Sequence, residues 1–260
     1  MKAKAIIIKS KKMKHLKHLF YTFVILSGTI YGQDIKPEKI SFKSIDGVPI
    51  TANLYHNNDK LPVILLCHQA RFNKAEYDEI ALTLFEKGFN LIAIDQRSGG
   101  TLNSKVNETF VAATKLGKPT AFLDAEQDIE AAINYASDKY HKKIILWGSS
   151  YSAALSMYFA SSNDKVKALI AFSPGDYFVE KKGTLKTKLA DFKKPMFVTS
   201  SKEEAPELTK LISKMKLTKN QVQFIPREAG VHGSKALWNN NPDKGEYWSA
   251  LNNFLEVLIN

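Results

Sequence analysis

Ile144-Ile145-Leu146-Trp147-Gly148-Ser149-Ser150-Tyr151-Ser152-Ala153-Ala154 is the stretch on which the fold turns. Its apolar start reads as a strand buried on both faces, and it runs through small-x-Ser-x-small into a helical segment at residues 152–160. Small residues two before and two after the serine allow a very tight turn. A larger side chain at either place would strike the neighbouring strand or helix. Gly148 and Ser152 both meet that demand. The serine then projects above the sheet at a helix N-terminus, where backbone N–H groups favour an oxyanion. Ser149 and Ser150 as plain helix caps are the simpler alternative. The strand before and the helix after favour the sharp turn, with Ser150 as a nucleophile.

Outward from this turn, strand-like runs alternate with helical patterns. Residues 39–43 and 48–55 flank Asp46-Gly47, a hairpin signal. Further strands are expected at 62–67, 90–94, 143–147, 166–172, 195–199 and 222–225. Between them, residues 76–87 carry Ile80, Ala81, Leu84 and Phe85 at helical spacing. Residues 124–136, 207–215 and 246–258 also read as helices. The alternation predicts an α/β fold: a mostly parallel sheet of about eight strands, helices on both faces, and antiparallel strands at one edge. Residues 99–122 have no clear pattern. They follow a strand's C-terminal end, on the rim where α/β proteins bind ligands.

The histidines sort themselves by position. Beyond residue 32 the chain has His56, His68, His141 and His232. His56 belongs to the edge hairpin, and His141 precedes the strand into the turn, at the far end of the sheet. His68 ends the run Leu65-Leu66-Cys67-His68-Gln69-Ala70 and reads as a loop-shaping residue. His232, in Glu228-Ala229-Gly230-Val231-His232-Gly233, follows the serine just after the last strand. A small-residue loop there can swing an imidazole back to Ser150 as general base. A carboxylate must orient that imidazole, and Glu203 and Glu204 stand after the strand at 195–199. The oxyanion donors are expected to be the N–H of Tyr151 and that of Ala70, with Gln69 as the second choice.

From about residue 39 to 258 the chain resembles the α/β-hydrolase family, near its small dienelactone-hydrolase-like members. The matching residues are His68-Gln69, Asp95-Gln96-Arg97-Ser98-Gly99, the turn at Ser150, Ser173-Pro174-Gly175, Glu204 and His232-Gly233. Ser152 and Gln69 replace the usual glycines, and a glutamate stands for the commoner aspartate. The resemblance implies a Ser150–Glu204–His232 triad in the family's own order, with Glu203 and Asp176 as alternative acids. It also implies no large cap domain, because residues 176–194 are too few for one. The activity implied is cofactor-free hydrolysis of a carboxylic ester or similar acyl compound. An exported peptidase, a carbohydrate esterase or a catalytically silent binding module are the alternatives. An intact Ser/acid/His set argues against the last.

Composition bounds the rest. The formal charge of +11 suggests a polyanion partner, but residues 1–32 hold seven lysines and no acid. Those seven removed, +4 remains, which is no footprint for nucleic acid. The lysine-rich start, the apolar run at 19–30 and Gly32-Gln33 describe a secretory signal, residues 1–32, ahead of a domain at 33–260. The run is shorter than the ~20 residues of a spanning helix, so no stable membrane anchor is expected after cleavage. Periplasmic or secreted location follows, with Met1 or Met13 as the start. Cys67 is the sole cysteine, so no internal disulfide is possible, and no Cys/His cluster has zinc spacing.

Overall fold

The computed structural model describes residues 35–259. The signal reading of residues 1–32 and the cleavage expected near Gln33 lie outside the described residues. Eight strands form one sheet: β1 (Glu38–Lys43), β2 (Pro49–Tyr55), β3 (Val63–Cys67), β4 (Asn90–Ile94), β5 (Ile144–Ser149), β6 (Val166–Phe172), β7 (Met196–Thr199) and β8 (Gln221–Phe224). Their spatial order is β1-β2-β4-β3-β5-β6-β7-β8. β1 and β2 pair antiparallel, as do β2 and β4, while the other neighbours run parallel. The chain leaves β3 toward β4 on one side and returns to β5 on the other. The crevice at the C-terminal ends of β3 and β5 is therefore the switch point where such sheets bind ligands.

The central strands alternate their side chains between two apolar layers. Val63, Leu65 and Cys67 of β3 face one layer, with Ile144 and Leu146 of β5. Ile64, Leu66, Ile145 and Trp147 face the other. Both layers are covered by helices, so these strands are apolar throughout. The helices are α1 (Asp78–Glu86), α2 (Glu108–Lys115), α3 (Glu126–Tyr140), α4 (Tyr151–Ser162), α5 (Val179–Lys182), α6 (Leu185–Lys188), α7 (Ala205–Leu211) and α8 (Lys244–Ile259). α3 and α4 contribute to the first layer, α1 and α8 to the second.

One stretch differs from the sequence expectation, and a second agrees with it. Residues 99–122 contain α2, started by Asn107, whose side chain accepts the Phe110 N–H at 2.7 Å. Its buried residues are Thr109 and Ala113, one polar and one small, so no apolar period announces it. Thr109 Oγ1 accepts the Thr51 N–H at 2.9 Å and fastens α2 to β2. Residues 176–194 form two single-turn helices, α5 and α6, and no large cap.

The run Asp95–Ser98 after β4 locks the framework together. Asp95 accepts the Lys74 N–H at 2.8 Å and the Glu108 N–H at 2.9 Å. Arg97 is fully buried between Asp128 of α3 and Asp46 of the β1–β2 turn, with its closest oxygens at 2.8 and 2.7 Å. The Arg97 guanidinium beside Asp46 holds that carboxyl well below the usual carboxylate range.

Candidate active site

Ser150 joins β5 to α4 with φ 59° and ψ −122°. That left-handed region is strained for a residue with a side chain. The surroundings enforce it. Ser150 N–H donates to the Phe172 carbonyl at 2.8 Å, and a Cβ on Gly148 would lie 2.5 Å from the backbone of Ala153 and Ser152. Ser152 takes a glycine's place without conflict because its hydroxyl is employed. Its oxygen accepts the Ser149 N–H at 2.9 Å and lies 2.8 Å from the Cys67 carbonyl, to which it can donate. The end of β3 is thereby stitched to the turn. Ser150 stays recessed, 8% exposed.

The loop after β3 is held just as firmly. His68 is fully buried, and its Nε2 accepts the Gln96 N–H at 3.0 Å while Nδ1 lies 2.8 Å from the Gln69 carbonyl. Those partners assign the proton to Nδ1. Burial pushes the imidazole down to about 4, so it is neutral near pH 7 and shapes the loop. The Gln69 N–H is already taken by Glu76 Oε2 at 2.6 Å. Of the two N–H groups considered in this loop, that leaves the one on Ala70. Tyr151 stands first in α4, so its N–H has no carbonyl one helical turn before it.

His232 lies between Gly230 (φ 63°) and Gly233 (φ 74°). A Cβ on Gly230 would lie 2.0 Å from the Tyr247 hydroxyl. His232 Nδ1 is bonded to Glu204 Oε1. Glu204 Oε2 accepts the Ser173 hydroxyl at 2.8 Å and the Ser201 N–H at 3.1 Å. Burial works to raise the Glu204 carboxyl, but the bonds from His232, Ser173 and Ser201 outweigh it and hold the group well below the usual range. Ser173 Oγ also accepts the Gly233 N–H at 2.9 Å, so one hydroxyl braces both acid and histidine loop. Glu203 is exposed, and Asp176 accepts the Leu185 N–H at 2.8 Å. Among the described residues, Glu204 is the carboxylate bonded to His232.

Three contributors were not legible beforehand. Tyr177 stands beside Ser150: burial raises its phenol, the Ser150 hydroxyl opposes that, and the Glu204 charge adds to it. Phe122 rests its ring 5.0 Å from that of Tyr151. These two aromatics come from residues 99–122 and 176–194, where no motif marked them. The third is Glu76, whose buried carboxylate carried no sequence signal. No hydrogen bond joins Ser150 Oγ to His232 among the described residues, a looseness common before substrate binds. Next to this corner a hollow of about 390 Å³ is lined by Pro174, Gly175, Thr184, Lys186, Lys210 and Leu211, among others.

The profile of the dienelactone hydrolase family matches residues 50–233. A thiohydrolase of Arthrinium phaeospermum is 28% identical over 141 residues, which is 53% of this chain and 43% of that protein. The chain thus spans less than half the length of that curated relative. Among solved structures, an esterase of Pyrococcus furiosus superposes with a TM-score of 0.67 at 17% identity, covering 86% of this chain and 93% of the esterase. A dienelactone hydrolase from Anabaena variabilis gives 0.62 at 13% identity, covering 85% and 98%. At such identities the likeness is one of fold, the α/β-hydrolase fold.

Proposed function

Because the chain belongs to the dienelactone hydrolase family, we propose that it is a serine hydrolase cleaving a carboxylic ester or related acyl compound. The observation that carries this reading is the bond from His232 Nδ1 to the braced Glu204 carboxylate, at the end of the sheet where Ser150 stands. With Nδ1 so committed, Nε2 takes the Ser150 proton as Oγ attacks the acyl carbon. The N–H groups of Ala70 and Tyr151 receive the developing oxyanion. The leaving group departs with the proton from His232, leaving an acyl-enzyme. Water, deprotonated by the same nitrogen, then attacks the acyl carbon and restores Ser150. Glu204 keeps the imidazole in the right tautomer and stabilises the imidazolium.

A thioester is included among the acyl compounds because a relative is a thiohydrolase. The lysine-rich and apolar start supports the further reading that the chain is exported and its signal removed near Gln33. The test of the chemistry is a fluorophosphonate probe together with chromogenic oxyesters and thioesters of graded acyl length. Stoichiometric labelling at Ser150, lost with turnover in a folded Ser150→Ala, is expected. Undiminished turnover in Ser150→Ala on every compound the parent cleaves would remove Ser150 from the mechanism.

A further inference from the structure

A buried carboxylate outside the Ser150, His232 and Glu204 set ties the loops of the site to one another. Glu76 lies in the 3-10 turn Lys74–Tyr77 between β3 and α1, with no exposure to solvent. Its Oε2 accepts the Gln69 N–H at 2.6 Å, and its Oε1 accepts the Ser149 hydroxyl at 2.7 Å. Ser149 Oγ in turn accepts the N–H of Ser234 at 2.9 Å. These partners stand one residue before Ala70, one before Ser150 and two after His232. The loops meet closely: a Cβ on Gly233 would lie 2.7 Å from Gln69 Oε1 and 2.8 Å from Ser149 Oγ.

Stability alone does not account for such a group. A buried carboxylate is costly, and no ion pair to Glu76 is found among the described residues. The charges that act on it are those of Lys235 and His232, and its own charge helps raise the phenols of Tyr77 and Tyr151. We propose that Glu76 is a positioning residue for acyl transfer, holding the oxyanion loop, the nucleophile turn and the histidine loop in one register. This rests on the hydrolase reading above. Burial pushes the Glu76 carboxyl up to about 7, against the Gln69 N–H, the Ser149 hydroxyl and the charges of Lys235 and His232. Both oxygens act as acceptors. The protonated acid turns one of them into a donor, so either Gln69 or Ser149 loses its acceptor.

Two measurements on the full mature chain test this. In Ser150→Ala, which is expected to have no turnover, the backbone amide resonances of Gln69 and Ser234 are followed by NMR from acid to alkaline pH. Both are expected to shift together with a midpoint of about 7, and to stay flat once Glu76→Gln is added. Flat amides in Ser150→Ala, or amides moving with different midpoints, overturn the coupling whatever the activity. In the catalytically intact background, Glu76→Gln is expected to lower kcat by ~100-fold, the order that follows a misplacement of about 1 Å. KM is expected to stay within about two-fold, with probe labelling at Ser150 slowed in step. A fall in thermal midpoint with kcat and labelling unchanged makes Glu76 merely structural and overturns the proposal. If Glu76→Gln does not fold, Ser149→Ala takes its place, because it leaves the Gln69 bond intact. The Ser234 amide should then stop titrating while that of Gln69 continues, and continued titration of Ser234 counts against the coupling. A parent that neither labels nor turns over overturns the hydrolase reading, and co-titrating amides distinguish that failure from failure of the coupling.

Discussion

At His232 one ring nitrogen faces the Glu204 carboxylate, and the proposed chemistry depends on that commitment. An amide in place of the carboxylate can present its NH₂ to Nδ1, which turns the imidazole to the wrong tautomer. Glu204→Gln is therefore expected to remain folded and lose turnover by ~10⁴, the order found for an aspartate-to-asparagine change in a serine-protease triad. Glu203→Gln and Asp176→Asn should cost far less, since one side chain is exposed and the other is engaged with Leu185. Parallel kinetics on the three variants test this, and Glu204→Gln within several-fold of the parent would contradict it. Which residues were readable at this scale has a physical reason. Ser150 and His232 are marked by chain order and by small neighbours. Glu76 and Glu79 look alike in sequence, three apart at the start of one helical pattern, yet one is fully buried and the other exposed. The bonds that distinguish them come from Gln69 and Ser149, which sequence spacing cannot place beside a helix start.

Elements were legible where burial imposed a pattern and illegible where it did not. β3, β4 and β5 are covered on both faces, so their apolar runs stand out. α2 buries only Thr109 and Ala113 and announces itself solely through the Asn107 cap. The turn between β5 and α4 is the element on which the site depends most, and Gly148 is its tightest point. Gly148→Ala puts a methyl 2.5 Å from backbone atoms, which neither side can yield easily. A loss of ~1–3 kcal/mol in denaturant unfolding is expected, typical of overpacking, with slower probe labelling of Ser150. Unchanged stability and labelling would show that the turn has slack. The Arg97 clamp acts between elements, joining the β1–β2 turn to α3. Arg97→Ala leaves Asp128 buried without its partner, and a cost of about 3–5 kcal/mol is expected in the same assay.

For the molecule as a whole, seven of the eleven net positive charges reside in the first 32 residues. Protein recovered from its native host is expected to begin near Gln33, and N-terminal sequencing decides it. Soluble protein still starting at Met1 or Met13 would contradict export. Stability should also carry two opposed pH dependences. Folding raises the Glu76 carboxyl to about 7, so the folded chain holds that proton more tightly than the unfolded one. The contribution is full below the ordinary carboxylate range and is lost as pH rises through about 7. Folding lowers His68 to about 4, so its contribution is full above the ordinary histidine range and is lost as pH falls toward about 4. Denaturant midpoints of parent and Glu76→Gln at about pH 5 and about pH 8 separate the two effects. The variant should gain on the parent at the higher pH, and an equal difference at both would contradict the assignment.

The bonds that meet at Glu76 also bear on how the chain acquires its activity. They reach across long stretches of polypeptide: Ser149 is 73 positions away, and Trp238, whose indole donates to the Glu76 carbonyl, is 162 away. Contacts so distant in sequence form only after the intervening chain has been gathered in, and such topologies fold slowly. The arrangement around Ser150 is expected to form only once the loop that carries His232 has docked. Competence to react should therefore be the last property recovered on refolding. In a stopped-flow experiment, probe labelling of Ser150 should return no earlier than the fluorescence change that reports burial of the tryptophans Trp147, Trp238 and Trp248. Labelling that recovers ahead of it would mean that the turn at Ser150 organises itself without the rest.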